Sequence, residues 1–197
     1  MDPMPETAAP RSNGTDRPIG WGHAVLKVRD LLRSELFYTE VIGFRVVGRR
    51  TGMTFLSLGG THHDLALYEA GPRAQMPGTG SLGVVHLAFA MEDESALRRF
   101  YAFLKGKATI LGAVNRVVFR SFYIADPDGY ILEFFADAPM GEWANIPNPF
   151  DRELPYNPGG TPPGDEEEEF PENSPADPSG EFSPRGGSGR QRGPGEG

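Results

Sequence analysis

The 197-residue chain has four histidines, His23, His62, His63 and His86, and no cysteine. Without thiols there is no disulfide, no thiolate nucleophile, no zinc ribbon and no cysteine-held cluster. His23 and His86 stand 63 residues apart, each heading an alternating apolar segment, HAVLKV and HLAFAM. A third candidate, Glu133, is set inside the apolar run Ile131-Leu132-Glu133-Phe134-Phe135. A carboxylate there is costly unless it is paired or bound to a cation. Two imidazoles and one carboxylate form the ligand set that holds non-haem Fe(II) and leaves coordination positions open. Singly, each residue has a plainer reading. A strand histidine is more commonly a hydrogen-bonded core residue, and a strand glutamate can face solvent. His63 can be a polar turn residue after Gly59-Gly60.

The case for a joint site comes from a repeat. Aligning GHAVLKVRDLLRSELFYTEVIGF with VHLAFAMEDESALRRFYAFLKG pairs His23 with His86, Asp30 with Asp93, Phe37 with Phe100 and Tyr38 with Tyr101, all at an offset of 63. In each copy the alternation after the histidine predicts a strand, and the aspartate stands at a helix N-cap. Helical spacing then places Leu31, Phe37, Tyr38 and Val41 on one face, and Leu97, Phe100, Tyr101 and Leu104 on its counterpart. Both copies end in β-like runs around a turn: Thr54 to Leu58 and Asp64 to Tyr68 about Gly59-Gly60, Val117 to Ile124 and Tyr130 to Phe135 about Asp126-Pro127-Asp128-Gly129. These later runs align at an offset of 67, which sets Glu133 opposite Ala66. Ala66 cannot coordinate, so the expected site has three protein ligands and an open face.

The fold class that follows is α+β. Two tandem βαβββ modules form a concave mixed sheet around one metal site, with disordered N- and C-terminal tails. The expected boundaries are a tail over 1–18, a domain over 19–150 with modules of about 19–70 and 82–138, and a tail over 151–197. Charge supports the last division. The net charge is −8, and the segment from Asp151 holds 11 acids against 4 bases, with 10 of the 26 glycines and 9 of the 19 prolines. Such a composition cannot bury enough apolar surface to offset its ordering entropy. Trp143 and Phe150, just before it, are expected to pack on the domain. The body is close to neutral and has no basic footprint for nucleic acid. No apolar run approaches the roughly 18 residues that span a bilayer. The N-terminal segment has no apolar core of a secretory signal, so Asn13-Gly14-Thr15 reads as an accidental acceptor motif and a cytoplasmic location is expected.

The paired βαβββ layout, the two repeat-equivalent histidines and DPDGYILEFF resemble the vicinal oxygen chelate superfamily over about residues 19 to 140. Glyoxalase I, fosfomycin-modifying thiol transferases, bleomycin-binding proteins and type I extradiol dioxygenases share that fold. Within the group the chain looks most like the catalytic domain of the extradiol dioxygenases, which cleave catechol-type rings with Fe(II) and O₂. The resemblance implies His23, His86 and Glu133 as metal ligands, with Mn²⁺ or another divalent ion as the alternative to iron. Glyoxalase I typically has an acid or amide where Ala66 stands. Thr61-His62-His63-Asp64-Leu65-Ala66-Leu67 resembles the segment that carries the family's acid–base histidine, which makes His63 that residue. Tyr123, ten residues before Glu133, stands where those enzymes keep a tyrosine near bound substrate. The chain departs from the pattern at Arg116, where the family often has a histidine, and in the length of the stretch from His63 to His86. Strict alternation back from Ala66 also puts His62 and Asp64, rather than His63, on one face.

What the resemblance implies is ring-opening oxygenation of an aromatic diol. His63 would be base on a hydroxyl and later acid, and Tyr123 would hydrogen-bond a substrate oxygen. The expected partners are a small aromatic molecule and O₂, with no nucleic acid and no membrane; self-association is left open. Two other classes share the fold. One is a metal-dependent isomerase or thiol transferase using Mn²⁺, Ni²⁺ or Zn²⁺ as Lewis acid. The other is a metal-free protein that sequesters a planar drug. Arg116 either meets an acidic substrate group or is an exposed strand residue.

Overall fold

The structure, a computed structural model, describes residues 20–78 and 80–160. The tail expected over 1–18, with its acceptor motif, and all but the first ten residues of the tail expected over 151–197 lie outside the described residues. Among those described, no helix is long and apolar enough to cross a membrane.

The chain divides into two compact units. One runs to Val84 and takes in Phe103–Thr109 and Ala125–Ile131; the other comprises Val85–Ala102, Ile110–Ile124 and the residues from Leu132. The first holds β1 (Ala24–Val28), α1 (Leu31–Leu36), β2 (Arg45–Arg50), β3 (Met53–Ser57) and β4 (Leu65–Glu69). Its sheet has the order β1-β4-β3-β2, with β1 parallel to β4 and the other neighbours antiparallel. The second half follows the same plan with β5 (Leu87–Ala90), α2 (Glu94–Leu104), β6 (Thr109–Asn115), β7 (Phe119–Ala125) and β8 (Ile131–Asp137). That sheet runs β5-β8-β7-β6-β9, the last being β9 (Leu154–Pro155).

The register bears out the βαβββ repeat residue by residue. Val25 faces Ala66 across the parallel β1–β4 pair, and Ala88 faces Glu133 across β5–β8. Those partners are related by the same offsets of 63 and 67 that the sequence shows. Ala66 and Glu133 are thus equivalent positions, both buried.

The caps repeat as well. Asp30 accepts a hydrogen bond from Arg33 N at 2.9 Å, and Asp93 accepts one from Ala96 N at 2.7 Å, each meeting one of the donors a helix start leaves open. The first helix then departs from expectation. After Leu36 it widens to a π-helix over Phe37–Ile42, where Thr39 Oγ1 bonds back to the carbonyls of Glu35 and Leu36. It ends at Gly43, whose φ of 98° only glycine adopts without strain.

The turn Asp126-Pro127-Asp128-Gly129 forms as expected, and it belongs to the first unit. Asp126 Oδ1 accepts from the amides of Asp128, Gly129 and Tyr130 at 2.8 Å each, and Oδ2 takes the Tyr38 hydroxyl at 3.0 Å. Asp128 pairs with Arg29 at 3.1 Å and with Arg33. Tyr38 is fully buried, and its burial beside these acids holds the phenol well above its ordinary pKa. These bonds draw the turn out of the second module and into the first unit.

In the second unit Phe100, Phe122 and Phe134 make a cluster, the last two stacked with centroids 5.4 Å apart. Each fully buried phenylalanine there contributes about 2–3 kcal/mol of transfer free energy. The segment after Trp143 corrects one boundary. Residues 151–160, expected in the tail, are part of the structured chain: β9 pairs with β6, and Arg116 meets Glu153 at 2.7 Å. Arg98 lies over the Tyr156 ring at 5.2 Å and donates to the carbonyls of Asn157 and Gly160. The composition of the long tail masked these ten residues. Trp143 is half-buried and donates to Ala138 O, but Phe150 is 71% exposed, contrary to expectation. Ending the chain after Phe150 is expected to lower its melting temperature by about 4–8 °C, from the loss of roughly 2 kcal/mol of strand and ring contacts. Ending it after Gly160 should leave the melting temperature unchanged in the same scanning calorimetry.

Candidate functional site

His23 and His86 each stand one residue ahead of the first strand of their module, not within it. In the second unit, His86 Nε2 lies 3.1 Å from Glu133 Oε2. Glu133 is 4% exposed, in a strand whose burial is nearly continuous. Its other oxygen, Oε1, accepts the Tyr123 hydroxyl at 2.6 Å. Burial first, and the carboxylate second, hold the Tyr123 phenol well above its ordinary pKa, so it remains a donor. The His86 and Tyr123 rings meet edge to face at 5.8 Å. The sequence sets Tyr123 near substrate; in the structure its hydroxyl donates a hydrogen bond to Glu133 Oε1. The ten-residue spacing contained that contact, because positions equidistant from Asp128 face each other across a hairpin closed by Asp126 N and Tyr130 O at 2.9 Å.

In the first unit, the His63 ring packs against His23 at 4.2 Å and meets Phe55 edge-on at 5.3 Å. His63 is half-buried, His62 is exposed, and their Nδ1 atoms are 2.6 Å apart. Strand alternation does not extend back to these histidines. The strand begins only at Leu65, and the preceding turn is set by side-chain bonds. Asp64 accepts from Leu58 N at 2.7 Å and from Thr61 Oγ1 at 2.8 Å, with Ser57 Oγ 3.0 Å away. Asp64 is held by the turn, and His63 is the residue that reaches His23. Loss of water around His63, with His23 and His62 adding to the effect, holds its imidazole below the ordinary pKa. Arg116, left with two roles by the sequence, is engaged by Glu153.

The candidates are thus gathered as two groups: His86, Glu133 and Tyr123 in one unit, His23, His62 and His63 in the other. Among the described residues, no three or more histidine, aspartate and glutamate side chains are arranged to hold a metal ion. Two donors at right angles on one ion, each about 2.1 Å from it, lie about 3.0 Å apart. The His86–Glu133 separation of 3.1 Å matches that spacing, and imidazole with carboxylate suits iron or manganese.

Known proteins resemble this chain at the level of family and fold. The family model described as Glyoxalase/Bleomycin resistance protein/Dioxygenase superfamily matches residues 20–134. The chain is 32% identical over 122 residues to the catechol-2,3-dioxygenase of Bacillus subtilis (strain 168), covering 62% of this chain and 43% of that protein. It is 30% identical over 138 residues to an iron-dependent extradiol dioxygenase of Rhodococcus jostii (strain RHA1), covering 58% of this chain and 42% of that one. The chain thus spans under half the length of these two relatives. A solved glyoxalase/bleomycin resistance protein/dioxygenase from Nocardioides shares the fold, with a TM-score of 0.52 at 22% identity over 67% of this chain and 91% of that one.

Proposed function

The chain belongs to the Glyoxalase/Bleomycin resistance protein/Dioxygenase superfamily, and from that membership we propose that it is an extradiol dioxygenase acting on a catechol-type aromatic diol. The observation that carries this proposal is the buried Glu133 carboxylate with His86 Nε2 beside it. Further support comes from the two relatives named as dioxygenases, one of them iron-dependent. In this proposal His86, Glu133 and His23 are the residues that would hold one divalent ion. Iron(II) bound there would supply open positions for a vicinal diol and for O₂, and a path by which electrons of the diol reach O₂.

The side chains have distinct tasks in this scheme. Tyr123 fixes the Glu133 carboxylate by donating to Oε1, leaving Oε2 on the His86 side. His63 takes a proton from a diol hydroxyl at Nε2 and returns it as the ring opens; an imidazole is the side chain suited to both transfers near neutral pH. Phe55 meets the His63 ring at close to a right angle, with centroids 5.3 Å apart. Small-molecule substrate and O₂ are the partners, and a cytoplasmic location is part of the same proposal.

Protein purified without oxygen and loaded with Fe(II) is expected to hold about one iron per chain and to consume O₂ with at least one member of a catechol panel. Iron uptake with no O₂ consumption across the panel would move the isomerase or thiol-transferase chemistry of the superfamily ahead.

A further inference from the structure

The scheme above uses His63 and leaves its neighbour idle, yet the two imidazoles share a contact that limits what either can do. His62 Nδ1 and His63 Nδ1 are 2.6 Å apart. Two nitrogens at that distance hold one proton between them, so one ring donates and the other accepts. The turn leaves the pair little freedom. Ser57, Thr61 and Asp64 close it through four side-chain bonds, and Asp64 O accepts from Ala24 N at 3.1 Å, fastening it to β1. His63 is further held between the His23 and Phe55 rings, while His62 stands in solvent with its Nε2 free to meet water.

We propose that His62 is a positioning residue: its Nδ1 accepts the Nδ1 proton of His63 and so leaves His63 Nε2 bare to receive a proton. The role of that bare nitrogen rests on the dioxygenase chemistry proposed above. The logic is that of a base oriented by a third group, because the nitrogen a histidine offers is set by the bond its other nitrogen makes. A neutral imidazole as the orienting group differs from a carboxylate. It fixes the tautomer and the ring plane without placing a negative charge beside the base. Exposure of His62 keeps the arrangement inexpensive, since its own Nε2 proton is solvated in the tautomer this requires.

The test reads the tautomer directly. In metal-free protein labelled with ¹⁵N-histidine, long-range proton–nitrogen spectra should show His63 protonated at Nδ1 and bare at Nε2. In His62→Phe that pattern should give way to the Nε2-protonated form. His62→Asn, whose side-chain oxygen can still accept, should restore the wild-type pattern. On the iron-loaded enzyme, His62→Phe should lower kcat about 10–100-fold, as loss of an orienting partner does, with KM for the catechol unchanged and with recovery in His62→Asn. A wild-type spectrum with His63 protonated at Nε2, or a His62→Phe spectrum identical to wild type, overturns the assignment. A correct tautomer in a protein that cleaves no catechol leaves the histidine pair standing and overturns the dioxygenase chemistry instead.

Discussion

Replacing Glu133 by glutamine is expected to abolish the stabilisation that Mn²⁺ or Fe(II) gives the wild-type chain. A ligand at about 100 times its Kd stabilises the folded state by about 2.7 kcal/mol. For a domain of this size that amounts to a rise of roughly 5–10 °C in melting temperature. The variant should show no rise, and its metal content after anaerobic loading should fall close to zero. Without metal, the two proteins should differ in the opposite sense. Glu133 is 4% exposed, and an ionised carboxylate so buried is costly. The glutamine carbonyl can still accept the Tyr123 hydroxyl that now bonds Oε1 at 2.6 Å. Metal-free Glu133→Gln should therefore melt at or above the metal-free wild type. A variant that keeps the metal-dependent rise would remove Glu133 from the ligand set.

The second large effect is expected at His63. His63→Phe should keep its iron, since His63 is not among the proposed ligands, and should still bind a catechol. The ring it loses is half-buried against Phe55 and His23, so a phenyl group of similar shape should preserve the fold. Turnover should nevertheless fall by about 10²–10⁴, the range for a positioned general acid–base group. Measured under saturating catechol and O₂, that loss with iron content intact separates proton transfer from metal binding. Normal turnover would return His63 to the plainer role of a turn residue.

Much of the architecture was legible because the chain states it twice. The His23–His86 and Asp30–Asp93 pairs gave the repeat. Hydrogen-bond register then reproduced both offsets, through Val25 with Ala66 and Ala88 with Glu133. What was not legible depends on side chains bonding out of pattern. The end of the first helix widens to a π-helix over Phe37–Ile42, which no apolar spacing signals. Asp64 ties the turn before β4, so alternation counted back from Ala66 assigned the wrong histidine to the inner side. Residues 151–160 were hidden by the composition that follows them, although Tyr156 and the Arg98 beneath it form a local contact of ordinary strength. At the site, the buried Glu133 was visible as a charge in an apolar run. Its bond to Tyr123 was also available, from the symmetry of the two positions about Asp128 in the hairpin.

The most direct test of the proposed activity is the fate of the two atoms of O₂. Iron-loaded wild-type protein, given a catechol that it consumes and ¹⁸O-labelled oxygen, should yield a ring-opened product carrying both labelled atoms in one molecule, as mass spectrometry of the product will show. A product in which the ring is intact, or in which neither oxygen comes from O₂, would contradict the assignment of this chain as an extradiol dioxygenase.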